Sequence, residues 1–188
     1  NNFILLLYKL LNYYYNIMKK LTNISKLLIF FICLLSSNVI HAKTKSIGSH
    51  KAWKAYTSMI EKNKTCFLAS EPSKSTGKYE RKNRGKTYVF VTNVKGSTNH
   101  EVSVVAGFNY KKNSEVIFTI DGQKTKMFPV EDRAWSESSK IDKSLVRLMK
   151  KGKQLIITGT SSPGNLIKDY FSLSGFTKAL ALIDKSCS

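Results

Sequence analysis

From Trp53 onward the chain consists mainly of short apolar segments separated by polar turns, and this pattern restricts it to an antiparallel β protein. The clearest hairpin is centred on Asp121-Gly122, because this dipeptide readily adopts the positive φ angles of a two-residue turn. Its predicted strands are residues 115–120 and 123–128. The other predicted strands are residues 53–60, 65–70, 87–93, 101–106, 153–160 and 166–173. We therefore expect seven or eight strands.

Two segments between the turns differ from simple alternation. Residues 72–86 are polar and basic and contain glycine, so they are predicted to form a loop. In the strand that follows, both sets of alternating residues are apolar, Tyr88 and Phe90 on one face and Val89 and Val91 on the other. This predicts a central strand that is covered on both faces.

Two helices are predicted to interrupt the strands. The first has a capping-box signature, Ser139 with Asp142 three residues later, and it ends near Gly152. The second begins near Ser174, and Cys187 falls on its apolar face. The apolar stripes of the two helices are Ile141, Leu145, Leu148 and Met149, and Phe176, Ala179, Leu180 and Ile183.

Residues 18–42 have the three parts of a cleavable signal peptide, in the right order. Nine apolar residues in a helix span about 14 Å, roughly half the hydrocarbon thickness of a bilayer, which argues against a permanent transmembrane anchor. We expect cleavage near Ala42 and a periplasmic or secreted protein. The three parts are the cations Lys19, Lys20 and Lys26, the apolar run 27–35, and the small residue Ala42.

The segment before the signal contains only six residue types up to Ile17, and all six can be encoded with A and T alone. We expect residues 1–17 to be translated upstream sequence, with Met18 as the true start. Cys33 lies in the apolar run after Phe31-Ile32, whereas a lipidation site needs a small residue there. Cys33 is therefore expected to be removed with the signal.

The remaining residues, 43–188, are enough for one domain with a real core and too few for two. Four of the 31 basic residues and none of the 12 acidic residues precede Lys43, so this part carries a net charge of +15. The charge favours anionic partners. Export argues against nucleic acid and leaves anionic envelope lipid, polysaccharide or a host surface.

The densest cationic run, here called the basic loop, is the candidate contact site for an anion or a partner. The alternative is a solvated basic face, because lysine codons are rich in A and T and lysine greatly outnumbers arginine. The candidate contact residues are Lys78, Arg81, Lys82, Arg84 and Lys86.

Two cysteines, Cys66 and Cys187, remain after the predicted processing. An even number in an exported chain predicts one disulfide. An intermolecular bridge and two free thiols are the alternatives.

No pattern in the sequence specifies a reaction. His50 and His100 are the only histidines after residue 42, and no Cys or His cluster has metal-ligand spacing. The segment from Gly159 to Gly164 lacks the Gly-Lys-Ser/Thr ending of a phosphate loop, and a β-turn between two strands explains it better. We expect a protein that is not an enzyme and that has no cofactor.

The landmarks taken together resemble the invasion-associated locus B family of exported bacterial proteins. Each is weak alone, but their order and spacing cover nearly all of residues 43–188. The matching pieces are Trp53-x-x-Tyr56, Cys66-Phe-Leu-Ala-Ser70 with Pro72, Tyr88-Val-x-Val-Thr92, Ala106-Gly-Phe-x-Tyr110, Ile120-Asp-Gly122, Ala134-Trp135, Gly159-Thr-Ser-Ser162, Phe171-Ser-Leu-Ser-Gly-Phe176 and Cys187.

The resemblance implies an Ig-like antiparallel β-sandwich in the periplasm or at the surface, with a disulfide, no known cofactor and no known reaction. The family name records a link, in pathogenic members, to entry into host cells. This sequence continues the Gly-Thr-Ser-Ser turn with Pro163-Gly164-Asn165, where relatives are expected to have a basic residue and then a threonine.

The function expected from the sequence is a noncatalytic contact with a protein or a glycan, at the cell envelope or a host surface. The alternative is an envelope-maintenance module that binds anionic lipid or polysaccharide through the basic loop.

Overall fold

The computed structural model describes residues 2–20, 44–60, 62–96 and 100–188. The chain divides into two compact units, Asn1–His41 and Ala42–Ser188. The first contains helix α1, Asn2–Lys20, which includes Met18. No helix in the described ranges is long and apolar enough to cross a membrane. Most of the predicted signal peptide, with Cys33 and Ala42, lies outside the described residues.

The described part of the second unit contains eleven strands in one hydrogen-bonded antiparallel ladder. Along the ladder the order is β1-β2-β3-β5-β6-β9-β8-β7-β10-β11-β4. The mainly β, antiparallel prediction is therefore confirmed, but the expected seven or eight strands were too few. The strands are β1 Lys45–His50, β2 Trp53–Ile60, β3 Asn63–Ser70, β4 Lys74–Gly77, β5 Tyr88–Val94, β6 Glu101–Val105, β7 Val116–Ile120, β8 Gln123–Val130, β9 Arg133–Trp135, β10 Gln154–Thr160 and β11 Leu166–Ser172.

The three strands that the sequence did not predict are short or polar. β1 and β4 are the two ends of the ladder. Edge strands are commonly short and polar because one of their edges has no neighbouring strand. β4 lies within residues 72–86, so the prediction of a continuous loop there was wrong. β9 has only three residues, too few to show an alternating pattern.

The ladder has a first half, β1-β2-β3-β5-β6-β9, and a second half, β7-β10-β11-β4. The two halves enclose one core, in the manner of a β-sandwich. β8 pairs with β9 on one side and β7 on the other, and so joins the halves into a single ladder. Buried and partly exposed side chains alternate along β5, β7 and β10. Inward side chains of both halves are buried, as in Leu68 and Val91 of the first half and Phe118 and Ile157 of the second. All four belong to the same buried cluster.

Helix α2 spans Ser139–Lys151 and packs its apolar stripe into this core. Its N-cap is Ser138, whose side chain accepts a hydrogen bond from the Ile141 amide, so the predicted cap at Ser139 was wrong by one residue. Asp142 is buried and accepts hydrogen bonds from the Val102 amide at 2.9 Å and the Ser136 hydroxyl at 2.6 Å. It therefore links the helix to β6 and does not complete a capping box.

Helix α3 spans Phe176–Cys187 and packs on β1, β2, β3 and β5. It starts after Gly175, which has a φ of +89° and leaves no room for a Cβ beside the His50 carbonyl. Phe176 contacts the Trp53 ring edge to face, with centroids 4.9 Å apart. At the other end, Cys187 forms a disulfide with Cys66 of β3, which confirms the predicted bridge as an intramolecular one.

Candidate functional site

Arg84 holds the basic loop against the second half of the sheet. Its guanidinium donates hydrogen bonds to both carboxylate oxygens of Asp169, at 2.9 and 2.6 Å, and to the Ala106 carbonyl, at 3.0 and 2.8 Å. Only 7% of the Arg84 side chain and 5% of the Asp169 side chain are exposed. This is a buried, bidentate ion pair.

Two aromatic rings complete the surroundings of Arg84. Its Cζ lies 5.0 Å from the ring centroids of both Tyr79 and Phe108. Burial alone lowers the pKa of Arg84, but hydrogen bonding and charge from Asp169, with a contribution from Tyr79, outweigh burial and raise that pKa. Arg84 is thus a charged anchor, because its guanidinium N–H groups donate to Asp169 and to the Ala106 carbonyl.

The other four predicted contact residues are exposed and face water. Arg81 and Lys82 lie on a short 3-10 turn, Arg81–Asn83. Lys82 Nζ lies 3.5 Å from Glu80, in an exposed pair that is worth little energetically. The structure therefore separates the five residues into one buried anchor and four exposed cations, Lys78, Arg81, Lys82 and Lys86.

Two shallow pockets flank Tyr79 and Arg84. The first, about 360 Å³, has four cations and one acidic residue in its lining. The second, about 370 Å³, places Lys78 beside Ser161 and Ser162 of the Gly-Thr-Ser-Ser turn. The basic loop and this turn therefore form neighbouring parts of one surface. The first pocket is lined by Glu71, Pro72, Ser73, Lys74, Ser75, Tyr79, Arg81, Arg84, Gly85, Lys86 and Thr87.

The outer side of the first half of the sheet carries a row of aromatic side chains, here called the aromatic face. Tyr56 and Phe67 are opposite each other on β2 and β3, and their rings stack with centroids 5.2 Å apart. Phe67 and Phe90 follow at 6.1 Å, and Phe90 and Tyr88 at 5.7 Å. The aromatic face consists of Tyr56, Phe67, Tyr88, Phe90, Trp135 and Phe128.

Cross-strand pairing extends this row to β8. Ser103 of β6 pairs with Phe90 on one side and Trp135 on the other, and Trp135 pairs with Phe128. Phe128 is 58% exposed, while the other members are partly exposed. The expectation that the central strand β5 is covered on both faces holds for its inner face, where Val89 and Val91 are fully buried. Its outer face is only half covered.

The two histidines occupy different surroundings. His50 ends β1. His100 Nε2 lies 2.6 Å from Asp184 Oδ1, and Asn93 also donates to that oxygen at 3.0 Å. In the ranges that the structure describes, no serine hydroxyl bonds to the His100 ring, and no group of three His, Cys, Asp or Glu side chains has the geometry of a metal site. His100 and Asp184 fasten the start of β6 to helix α3.

These features define a small, mainly β domain whose C-terminal helix is tied to the sheet by a disulfide. The family model described as invasion associated locus B (IalB) protein matches residues 53–184, and the chain belongs to this family. The resemblance inferred from the sequence is confirmed. The searches among curated proteins and among solved structures found no match.

Sequence reasoning missed Asp169, Phe108 and the aromatic face. Asp169 and Phe108 are far from Arg84 in the sequence, so no local spacing indicates their contact. The aromatic face did leave a signal, because Tyr56, Phe67 and Phe90 lie at outward positions of their strands. Outward aromatic residues on three neighbouring strands indicate an open apolar surface more directly than the charge run does.

Proposed function

We propose that the protein is exported and acts, without catalysis, by contact with a protein or a glycan at the cell envelope or a host surface. The observation that carries this proposal is the aromatic face. Apolar surface patches of this kind mark interaction sites in soluble proteins, and Tyr, Trp and Phe are enriched in interfaces.

The packing of the aromatic face favours binding for a second reason. Four of its six rings contact one another along the row, so their rotamers are already restricted in the free protein; they are those of Tyr56, Phe67, Phe90 and Tyr88. A binding surface whose side chains are ordered in advance loses less entropy when a partner arrives. Trp135 and Phe128, at the exposed end of the row, are the expected anchors.

The test compares Phe128→Ser with Met59→Ser in protein purified from cells that express the full chain. Both side chains are more than half exposed, but Met59 lies outside the aromatic face. Saturable binding is measured on a glycan array and on an envelope fraction of the expressing bacterium. We expect Phe128→Ser to weaken binding about tenfold or more and Met59→Ser to leave it unchanged. Equal binding by both variants and the parent protein would contradict the proposal.

A second candidate function is favoured by the pocket beside the anchored loop: binding of anionic lipid or polysaccharide. Lys74, Arg81 and Lys86 border this pocket. Arg84 holds the loop that presents Arg81 and Lys86, whereas Lys74 is held on β4. Since these cations face water, their attraction to an anion is screened by salt. Binding through the basic loop should therefore weaken steeply as salt rises, whereas binding through the aromatic face should not.

The variant that tests this candidate is Arg81→Glu, with Lys143→Glu on the exposed side of α2 as the control. Charge reversal at Arg84 is unsuitable, because it would also break the buried pair with Asp169. Binding to phosphatidylglycerol vesicles and to alginate is measured at low and physiological salt. A loss confined to Arg81→Glu supports the candidate, and an equal loss in both variants rejects it.

A further inference from the structure

The outer side of the second half of the sheet has a groove that is separate from the aromatic face and touches the pocket beside the basic loop only at Lys74. Its volume is about 730 Å³, and its floor combines apolar and hydroxyl side chains. We call it the lysine-bordered groove. It is lined by Glu115, Ile117, Thr119, Lys124, Lys126, Ile156, Thr158, Leu166, Lys168 and Tyr170.

The strand register places lysines on both sides of this floor. Two rows of paired residues cross the strands, and each row contains two lysines separated by two or three uncharged residues. The middle positions of both rows are isoleucine, threonine or tyrosine. In order across the strands, the rows are Lys124, Thr119, Ile156, Tyr170 and Lys74, and Lys126, Ile117, Thr158, Lys168 and Thr76.

The charge of the groove is positive on both margins. All four lysines are exposed, whereas the isoleucines and threonines of the floor are half buried. Lys74 Nζ lies 5.7 Å from the centroid of the Tyr170 ring, a cation–π contact that orients one margin over the floor. Glu115 is the acidic residue of the lining, and it pairs with Lys126. Lys124, Lys168 and Lys74 are therefore the cations that an incoming anion can meet.

The width of the groove selects among anionic partners. Neighbouring strands lie about 4.8 Å apart, so the rows span roughly 14 Å and 19 Å from lysine to lysine. An α-helix with its side chains is about 10–12 Å across, which lets one helix rest on the floor and reach both margins. An acyl chain or an extended sugar chain is much narrower and meets one margin at a time.

We propose that the lysine-bordered groove binds an amphipathic helix of a partner protein, with acidic residues on both flanks of its apolar stripe. The apolar stripe would lie on Ile117, Ile156 and Tyr170, as in other helix-in-groove complexes. The flanking carboxylates would pair with Lys124 on one margin and Lys168 on the other. We choose such a helix as the occupant because its width fits between the lysines and its acidic flanks match the positive charge on both margins.

The probe for the test is an 18-residue peptide with leucine at i, i+3, i+4 and i+7 spacing and glutamate on both flanks of that stripe. Its control is a peptide of the same composition in scrambled order, which keeps the charge but loses the two-sided arrangement. Affinity for the protein purified from cells expressing the full chain is measured by fluorescence anisotropy. The variants are Lys124→Glu, Lys168→Glu and the matched control Lys143→Glu.

We expect the ordered peptide to bind at least about tenfold more tightly than the scrambled one. Each groove variant should weaken binding by about tenfold, and Lys143→Glu should not. No binding of the ordered peptide, equal binding of both peptides, or equal loss in all three variants would overturn the proposal. Tighter, groove-dependent binding of phosphatidylglycerol vesicles or alginate would also overturn it, in favour of those occupants.

The groove and the aromatic face meet at β8, which carries both Lys124 and Phe128, but Lys168 on β11 and Tyr56 on β2 are far apart along the ladder, so variants at these two positions test the proposals separately. Tyr56→Ser should leave peptide binding unchanged, and Lys168→Glu should leave binding through the aromatic face unchanged. Either proposal can therefore fail while the other stands.

Discussion

Arg84 was selected in the sequence for its charge, yet its contacts give it a structural role. An arginine buried between two aromatic rings, and paired with a buried carboxylate, is costly to leave without its partner. The same residue type three positions earlier, Arg81, is exposed on the 3-10 turn. Charge alone does not distinguish an anchor from a contact residue. The distinction comes from Asp169, which lies on β11 and pairs with Arg84.

The ion pair gives the first prediction. Arg84→Met leaves Asp169 buried without its cation, so we expect a loss of about 3–5 kcal/mol in the free energy of unfolding. The double variant Arg84→Met with Asp169→Leu should lose less than Arg84→Met alone, because no charge is left unpaired. Urea unfolding measures both. Lys82→Met, which disrupts an exposed pair, is the control and should change stability little. A similar loss in Lys82→Met and Arg84→Met would contradict the buried-anchor role.

Glu101 gives a prediction about pH. Burial, and then the nearby charge of Asp142, raise the pKa of the Glu101 carboxyl. An acid whose pKa is raised on folding adds stability below its unfolded pKa, and this stability is lost as pH rises through the folded pKa. Glu101→Gln should therefore be more stable than the parent protein at pH 7 and should lose that advantage below about pH 4. The gain should be about 0.5 kcal/mol or less, because the side chain remains partly exposed.

Urea unfolding at several pH values measures this difference. Glu71→Gln, another exposed carboxylate, serves as the control. A stability difference for Glu101→Gln that does not change with pH would show that the effect does not come from ionisation.

At the scale of the elements, periodicity predicted most strands and both helices of residues 43–188. The Asp121-Gly122 hairpin was correct because its turn chemistry and strand pattern are local. β1 and β4 were missed because an edge strand gains hydrogen bonds from only one neighbour and needs no apolar face. The pairing of Ser75 and Asp169 across β4 and β11 depends on contacts nearly a hundred residues apart, which no local pattern encodes.

The start of α2 gives a prediction that separates sequence from structure. Two serines, Ser138 and Ser139, precede the apolar stripe, and the structure assigns the cap to Ser138. Ser138→Ala should lower the free energy of unfolding by about 1 kcal/mol, because it removes the acceptor for the Ile141 amide. Ser139→Ala should have little effect, because alanine is well tolerated in the first helical turn. Thermal unfolding followed by circular dichroism compares the two variants. A larger loss of stability in Ser139→Ala would show that Ser139 is the N-cap, as the sequence predicted.

At the scale of the whole molecule, three long-range links close the fold between residues that are far apart in the chain. The Trp53 indole donates to the Ser172 carbonyl at 3.0 Å, Arg84 pairs with Asp169, and Cys66 bridges to Cys187. The first two of these links could not be predicted from the sequence. The disulfide could, because cysteine count and an expected oxidising compartment together indicate it. The candidate contact surfaces depend on this closed form, since both halves of the sheet must be in place to present them.

The disulfide gives the last prediction, because it fastens α3 to β3 across 121 positions of sequence. Closing a loop of this size removes unfolded-state entropy worth about 4–5 kcal/mol in the chain-entropy model. The Cys66→Ala, Cys187→Ala double variant should therefore unfold at a much lower urea concentration than the oxidised parent. Lys64 also donates to the Ser186 carbonyl, at 2.6 Å, so Lys64→Met controls for the loss of a neighbouring link between the same two elements. It should have a far smaller effect. Alkylation of the native monomer, followed by mass analysis, should leave Cys66 and Cys187 unmodified, and modification of both would exclude the bridge.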